Sequence, residues 1–402
     1  MIIELKIKNI FSFKEETKFL MTQVKSFKEL ENNNVIKTDR GFSLLKTAAI
    51  YGANGSGKSN FIRAFGMLSS LVFNSFSDSL RKDREKRSRD FQFKLNSLSE
   101  KENTSLEVTF VKDEYIYRYG VEIFGHNIQK EWLYRKLDRE IPLFIRDKQS
   151  FEINKESFAE GEKYKSEVNE NVLFLSHLAQ YNQPVSKHVL SWFMNAAVIN
   201  GLDDDYYRDF TADLLKKNPE FKAWAAYVLK YLEIANIEAG EEEGEIVTYH
   251  KKYDENNLLI DSIPFNINLE SDGTKKLIHI LGPIYDTLRN GGVLLIDEFD
   301  CKLHANLSIK VLALFQEYNR RNAQLIFTAQ DICLMDKSLL RRDQIWFTEK
   351  DQFGVSVLYS LSDFSANVVR NSSDFGKKYL DNTFGAADSF KITEKLTDLL
   401  YA

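Results

Sequence analysis

The chain has 402 residues, 43% of them hydrophobic and 28% charged, with a formal net charge of −5 at pH 7. That balance describes a globular protein with room for two or three domains, or for one large head with an insertion, and it excludes one that coats nucleic acid with its whole surface. No apolar stretch reaches the ~18–20 residues that span a bilayer, and two cysteines, Cys301 and Cys333, exclude a disulfide framework, so a cytoplasmic protein with no membrane partner is expected.

Ile3, Leu5 and Ile7 alternate with Glu4, Lys6 and Lys8, which predicts a half-buried strand and not a secretion signal. Thr17 to Met21 predicts a second strand. Next comes Thr47 to Tyr51, an apolar run suited to a buried strand, and directly after it Gly52-Ala53-Asn54-Gly55-Ser56-Gly57-Lys58-Ser59. This matches the phosphate-binding pattern G-x-x-x-x-G-K-[ST] in full. Asn60 to Leu71 then sets Phe61, Phe65 and Leu68 at helical spacing. Glycines let backbone N–H groups curl around phosphate oxygens, and the helix N-terminus adds a favourable dipole. Gly52, Asn54, Gly55, Ser56, Gly57, Lys58, Ser59 and Asn60 are therefore the candidate ATP-binding set. Lys58 reaches for the β- and γ-phosphates, and the Ser59 hydroxyl is a candidate Mg²⁺ ligand.

Arg81 to Asp90 holds six basic and three acidic residues. A solvated surface is the ordinary reading of such a run, and a nucleic-acid contact is the alternative. Phe91 to Leu95 alternates as a strand would, with Gln92 an exposed strand residue on that pattern. Leu106, Val108 and Phe110 keep the period of two, Lys112-Asp113-Glu114 makes a turn, and the pattern to about Ile153 reads as an antiparallel meander. From Glu156 to Leu232 the texture is helical, clearest at Leu173 to Ala179, Val189 to Ala197 and Phe221 to Leu232. Glu238 to Glu245 reads as an exposed acidic connection, and Ile246 to Leu269 returns to strand. No internal repeat or sustained heptad pattern is present.

Glu270 to Lys276 precedes a strongly helical run, with Ser271 or Asp272 as N-cap and Pro283 bending the helix without ending it. Val293 to Ile296 is a four-residue apolar run that ends in Asp297 and Glu298. A parallel strand buried on both faces reads this way, and its C-terminal end is where open α/β sheets place ligands. Asp297 is the candidate Mg²⁺ ligand and Glu298 the candidate general base. Gln324 to Thr328 predicts the next buried strand and leads Gln330 toward the γ-phosphate.

The order of these motifs resembles an ABC-type ATPase head. Within that clade the chain resembles the AAA ATPases of bacterial anti-phage systems: the overcoming-lysogenization-defect ATPases and, more closely, the RloA/abortive-infection type. The residues that carry the closer match are N-I-F-S-F-K-E-E-T (9–17), I-Y-G-A-N-G-S-G-K-S-N (50–60), E-W-L-Y (131–134), E-S-D-G-T-K-K-L (270–277), L-L-I-D-E-F-D-C-K-L-H (294–304) and R-R-D-Q-I-W-F (341–347). The resemblance implies an α/β fold, an ABC-ATPase-like P-loop head with a mixed sheet and an N-terminal antiparallel β lobe. A β-meander and a helical insertion would separate phosphate loop from signature. The expected divisions are 1–70 for the first half of the head, 71–155 for a β-rich lobe, 156–245 for the helical insertion and 246–402 for the second half.

Further, the resemblance implies ATP and Mg²⁺ as cofactors and an ATP-dependent homodimer or higher oligomer, with Ser271 and Gly273 acting on the nucleotide of the other protomer. His304 falls where many such ATPases have an aspartate, Ala305 where proline is frequent, and Gln330 where a histidine is usual; His304 and Gln330 are carried as catalytic candidates. The resemblance also implies a metal-binding glutamine, for which Gln92 is the candidate. A separate toprim-like or RloB-like effector is the implied partner. A DNA-repair or chromosome-tethering ATPase, a transporter subunit and a slow ATP-gated scaffold are the competing readings.

Overall fold

The computed structural model describes residues 1–79, 91–200, 205–365, 368–369, 373–387 and 394–401. The basic run from Arg81 to Arg89 therefore lies outside the described residues. In chain order the first elements are β1 (Ile2–Lys8), β2 (Thr17–Leu20), α1 (Glu31–Asn34), β3 (Val35–Lys37), β4 (Ser43–Leu45), β5 (Thr47–Tyr51) and α2 (Lys58–Ser79). A meander follows: β6 (Thr104–Lys112), β7 (Tyr115–Phe124), β8 (Asn127–Lys136), β9 (Glu140–Asp147) and β10 (Ser150–Ile153). Next come α3 (Ala159–Tyr164), α4 (Phe174–Gln180), α5 (Pro184–Met194), β11 (Ala196–Ile199), α6 (Asp205–Lys217) and α7 (Pro219–Leu229). Then β12 (Ile234–Ala239), β13 (Ile246–Tyr253) and β14 (Leu259–Asn266) lead into α8 (Asp272–Asn290) and β15 (Val293–Ile296). The remainder is α9 (Ala305–Gln316), β16 (Gln324–Thr328), β17 (Ile345–Lys350), β18 (Ser356–Ser360), α10 (Phe375–Leu380) and α11 (Glu394–Tyr401).

Two large sheets organise these elements. The nucleotide-type sheet has the order β11-β15-β16-β5-β17-β18, parallel throughout except for β18. The other is antiparallel, β10-β9-β8-β7-β6-β1-β2, so the N-terminal strands join the meander into one lobe. Strand periodicity sorts the core between two clusters. Ala48, Ile50, Leu295 and Ile326 face the cluster shared with the antiparallel lobe and α2, whereas Ala49, Tyr51, Leu294, Ile296, Leu325 and Phe327 face the other. Burial on both faces is why these strands read as continuous apolar runs. A buried amide joins the sheets: Gln324 accepts the Ile2 N–H and donates to the carbonyls of Ile2 and Leu45. The architecture is an α/β P-loop-type head, a mostly parallel six-stranded sheet joined to an N-terminal antiparallel β lobe.

The E-W-L-Y stretch gains a physical explanation. Glu131 is fully buried and accepts the N–H groups of Phe174 (2.6 Å) and Leu175 (3.0 Å) at the start of α4, together with the Tyr119 hydroxyl. Arg146, equally buried, lies 3.6 Å from it and donates to three backbone carbonyls. Trp132 packs flat over Gly120, where a Cβ would fall 2.3 Å from the ring. The meander is thereby locked to the helices.

Four local expectations are corrected. Phe91 to Leu95 forms no strand, and Gln92 is buried instead of exposed. The helix expected over Val189 to Ala197 stops at Met194, and Ala196–Ile199 is a strand that returns to the nucleotide-type sheet beside β15. Two alanines made that segment look helical; pairing with β15 overrides their propensity. Glu238 and Ala239 belong to β12, so the acidic connection is confined to 240–245. The helix after the phosphate loop runs to Ser79, well past Leu71.

Candidate functional site

β5 ends at Tyr51, and the chain turns at Gly52 (φ 155°). A Cβ there would lie 2.4 Å from the Thr348 carbonyl oxygen and 2.6 Å from Ser56 Oγ, so only glycine fits between the loop and β17. Thr348 and Ser356 brace the loop from β17 and β18. The Ser56 and Thr348 hydroxyls are 2.6 Å apart, and Ser356 Oγ donates to the Ser56 carbonyl at 2.6 Å. On the helix side Asn60 donates to Ser12 Oγ (2.9 Å). Asn54 and Gly55 are exposed at the crest and Ser59 is half-buried on the first turn of α2.

Lys58 opens α2 and is buried, its Nζ donating to the carbonyl oxygens of Gly52 (2.6 Å) and Ala53 (3.2 Å). Burial pulls this ammonium below its ordinary range, and the carboxylates of Asp297, Glu298 and Asp300 pull it back. The loop lysine and the carboxylates after β15 therefore share one electrostatic neighbourhood, although β16 lies between their strands.

That second half is tightly stitched. Asp297 is buried and accepts from Thr328 Oγ1 at 2.6 Å, while the same Oγ1 accepts the Glu298 N–H at 2.7 Å. Glu298 has φ 51°, a left-handed conformation that non-glycine residues avoid and that clusters at functional sites. Asp300 Oδ2 accepts the N–H groups of Gln330 (2.8 Å) and Asp331, tying the turn after β15 to the end of β16. Gln330 itself is exposed.

Ser271 is the N-cap of α8, accepting the Thr274 N–H at 3.2 Å. Gly273 lies so close to the loop after β15 that a Cβ would sit 2.7 Å from the Lys302 carbonyl oxygen. Lys276 Nζ donates to the Glu298 carbonyl at 3.0 Å, a second tie between the start of α8 and that loop. Glu270, directly before Ser271, accepts from Thr248 Oγ1 and lies 2.7 Å from His250 Nε2. Pro283 stands inside α8 without ending it. His304 is an exposed N-cap of α9, its Nδ1 accepting the Asn306 N–H at 3.2 Å, with Ala305 as the first helical residue.

An oxygen-only donor set, the Ser59 hydroxyl and the Asp297 carboxylate, suits Mg²⁺, and the cradle at Gly52 and Gly57 suits a polyphosphate. Gln92 carries a side-chain oxygen that is also buried. Its Oε1 is buried without a hydrogen-bond partner among the described residues. Phe91, beside it, accepts the N–H of Phe11, the residue before Ser12. An orphaned buried carbonyl oxygen calls for water or an ion.

Thr328, Thr348, Ser356, Ser12 and Asp300 were not singled out from sequence. Two signals were present: Thr328 and Thr348 are polar residues at the ends of apolar runs, and Asp300 follows Asp297 by three residues in D-E-F-D.

Fold and site together define a P-loop ATPase-type head. The chain belongs to the family described as "AAA domain, putative AbiEii toxin, Type IV TA system", whose model matches residues 48–336, well over half of its length. No curated protein matches it. Among solved structures it is similar to the SMC head domain from Thermotoga maritima (16% identity, TM-score 0.42), covering 89% of this chain and 98% of that one. It is also similar to an SmcHead bound to the C-winged helix domain of ScpA (15%, TM-score 0.38, covering 89% and 97%). A third is the Smc head domain with an extended coiled coil bound to the C-terminal domain of ScpA, derived from Pyrococcus furiosus (13%, TM-score 0.37, covering 89% and 96%). No helix among the described residues is long and apolar enough to cross a membrane.

Proposed function

We propose that the protein binds Mg-ATP and hydrolyses it slowly, dimerises head to tail on ATP, and regulates a bacterial anti-phage system with a separate effector chain. The observation that carries the ATPase reading is the full phosphate-loop pattern between β5 and α2, in the same parallel sheet whose strand β15 ends in Asp297 and Glu298. In this reading the loop amides and Lys58 hold the phosphates. Ser59 and Asp297 hold Mg²⁺, with Gln92 as a third oxygen donor. The metal, when bound, neutralises charge on the transferring phosphoryl group. Glu298 takes the proton of the attacking water, and Thr328 fixes the carboxylates by bonding Asp297 and the Glu298 N–H together. Gln330 can orient that water but has no imidazole to shuttle a proton, which favours slow turnover or an ATP-gated scaffold.

Ser271 caps α8, whose first turn is tied to the loop after β15 through Lys276 and the Glu298 carbonyl, and β16 separates β15 from the phosphate-loop strand β5. That placement favours action on the partner's nucleotide. Phosphate release from Mg-ATP tests the chemistry: Glu298→Gln should retain nucleotide and slow turnover by ~10²–10⁴-fold. Equal rates for mutant and wild type would remove Glu298 from the reaction.

The family description names a toxin of a type IV toxin–antitoxin system, which supports a second reading in which this chain is itself the toxic component. Expression alone in a host without any neighbouring gene separates the two. Growth arrest that depends on Lys58 assigns toxicity to this chain, and growth as normal assigns it to an effector.

A further inference from the structure

The far ends of α8 and α9 and the flank of α7 enclose a cleft of about 270 Å³. Trp224 and Tyr285 form one wall, their ring centroids 5.4 Å apart and tilted by 46°. Tyr318 stands at the mouth, 69% exposed. Arg289, Arg320 and Arg321 line the same cleft, and among the described residues no carboxylate does. Glu220, bonded to Arg289 at 2.9 Å, and Glu317 are acidic neighbours on the same helices.

The cleft continues along two antiparallel helices. On α7 and the turn after it, Tyr227 and Tyr231 follow Trp224 at helical spacing, 68% and 70% exposed, so neither ring serves the core. On α9, Lys310 lies two turns before Tyr318, and its Nζ stands 4.2 Å from the centre of the Tyr231 ring. Lys230 sits similarly beside Tyr227, at 5.6 Å. Trp224 to Tyr231 spans about 10 Å of helix, room for two or three stacked bases. Aromatic faces interleaved with cations are a surface for an anionic polymer with flat rings to stack.

We propose that this groove binds single-stranded nucleic acid, tyrosine faces taking unpaired bases and guanidinium groups taking phosphates. A duplex is a poorer fit, because its bases already stack on one another and leave the tyrosines nothing to cover. The groove is separate from the nucleotide site. Both are served by α8, with Ser271 at its start and Tyr285 about 21 Å along its axis. The proposal therefore does not rest on ATP chemistry.

The test is fluorescence anisotropy of the full chain with labelled oligothymidylate, oligouridylate and a DNA duplex of equal length. The expected result is binding of one or both single strands over the duplex. The salt dependence should have a log–log slope of about −2 to −3, as three or four phosphate contacts require. Which single strand binds more tightly distinguishes DNA from RNA as the source. Tyr318→Ala should weaken binding about tenfold or more. Arg320→Glu with Arg321→Glu should weaken it further and flatten the slope by about 1.4. Lys58→Ala should leave it unchanged, which separates the groove from the phosphate loop. Absence of binding at low salt, equal affinity for the duplex, or binding that survives the Tyr318 and arginine changes overturns the proposal and assigns the groove to a protein partner.

Discussion

Lys58 spends its donors on the carbonyls of Gly52 and Ala53, so docking a polyphosphate exchanges loop oxygens for phosphate oxygens around a buried ammonium. Lys58→Ala removes that charge while the loop stays braced by Thr348, Ser356 and Ser12. Calorimetry with Mg-ATP should show loss of tight binding, and equal affinity would place the nucleotide elsewhere. At this scale the sequence was informative where one residue type does one job. The phosphate loop, Asp297 and Glu298 were legible because glycine, lysine and paired carboxylates at fixed spacing have few other reasons to occur together. Thr328 and Asp300 were not, because a threonine at a strand end and a third acid look like ordinary surface until β16 brings them together. Gly273 has a reason of its own that needs no nucleotide, the close approach of the Lys302 carbonyl.

Two elements depend on single buried charges. Removing Glu131 by Glu131→Ala would strand Arg146 in the core and leave the first N–H groups of α4 without an acceptor. The expected cost is about 3–5 kcal/mol, read as a lower urea midpoint with unchanged slope. A midpoint within error of wild type would show that α4 docks without this bond. Glu107 belongs to the antiparallel lobe, where it accepts from Lys6, Arg118 and Trp132. Burial alone would raise its carboxyl; the Lys6, Trp132 and Arg118 donors more than reverse this and hold it below the usual range. A depressed folded value means the stabilisation is complete above the unfolded carboxylate value, about 4.3, and is lost as pH falls through the folded one. Glu107→Gln should lower stability at neutral pH and flatten its decline in acid. Parallel curves for the two proteins would remove Glu107 from the acid response. Element types were largely readable, since alternation marked β6 to β10 and continuous apolar runs marked β5, β15 and β16. β11 escaped because four residues, two of them alanine, carry too little pattern, and only its neighbour β15 makes it a strand.

For the whole molecule, the head-to-tail reading places Ser271 against the partner's nucleotide. Glu298→Gln should accumulate an associated state with Mg-ATP, because ATP that binds this state better than the open one shifts the population toward it. Adding Ser271→Arg should return it to monomers that still bind nucleotide through Lys58. Light scattering reads both. Association that ignores ATP, or that persists in the double mutant, would remove Ser271 from the interface, and association without nucleotide would describe a constitutive scaffold.

β11 has a consequence for anyone who would cut or graft this chain. The stretch from 156 to 245 is not a detachable module, because Ala196–Ile199 is sewn into the nucleotide sheet by the Val293 and Asp297 N–H groups, which donate to the carbonyls of Asn195 and Ile199. Excising the whole stretch would bare the edge of β15 to other chains. A chimera that exchanges helices with a relative must leave 195–199 in place, and the border of the donor piece belongs before Asn195 or after Ile199.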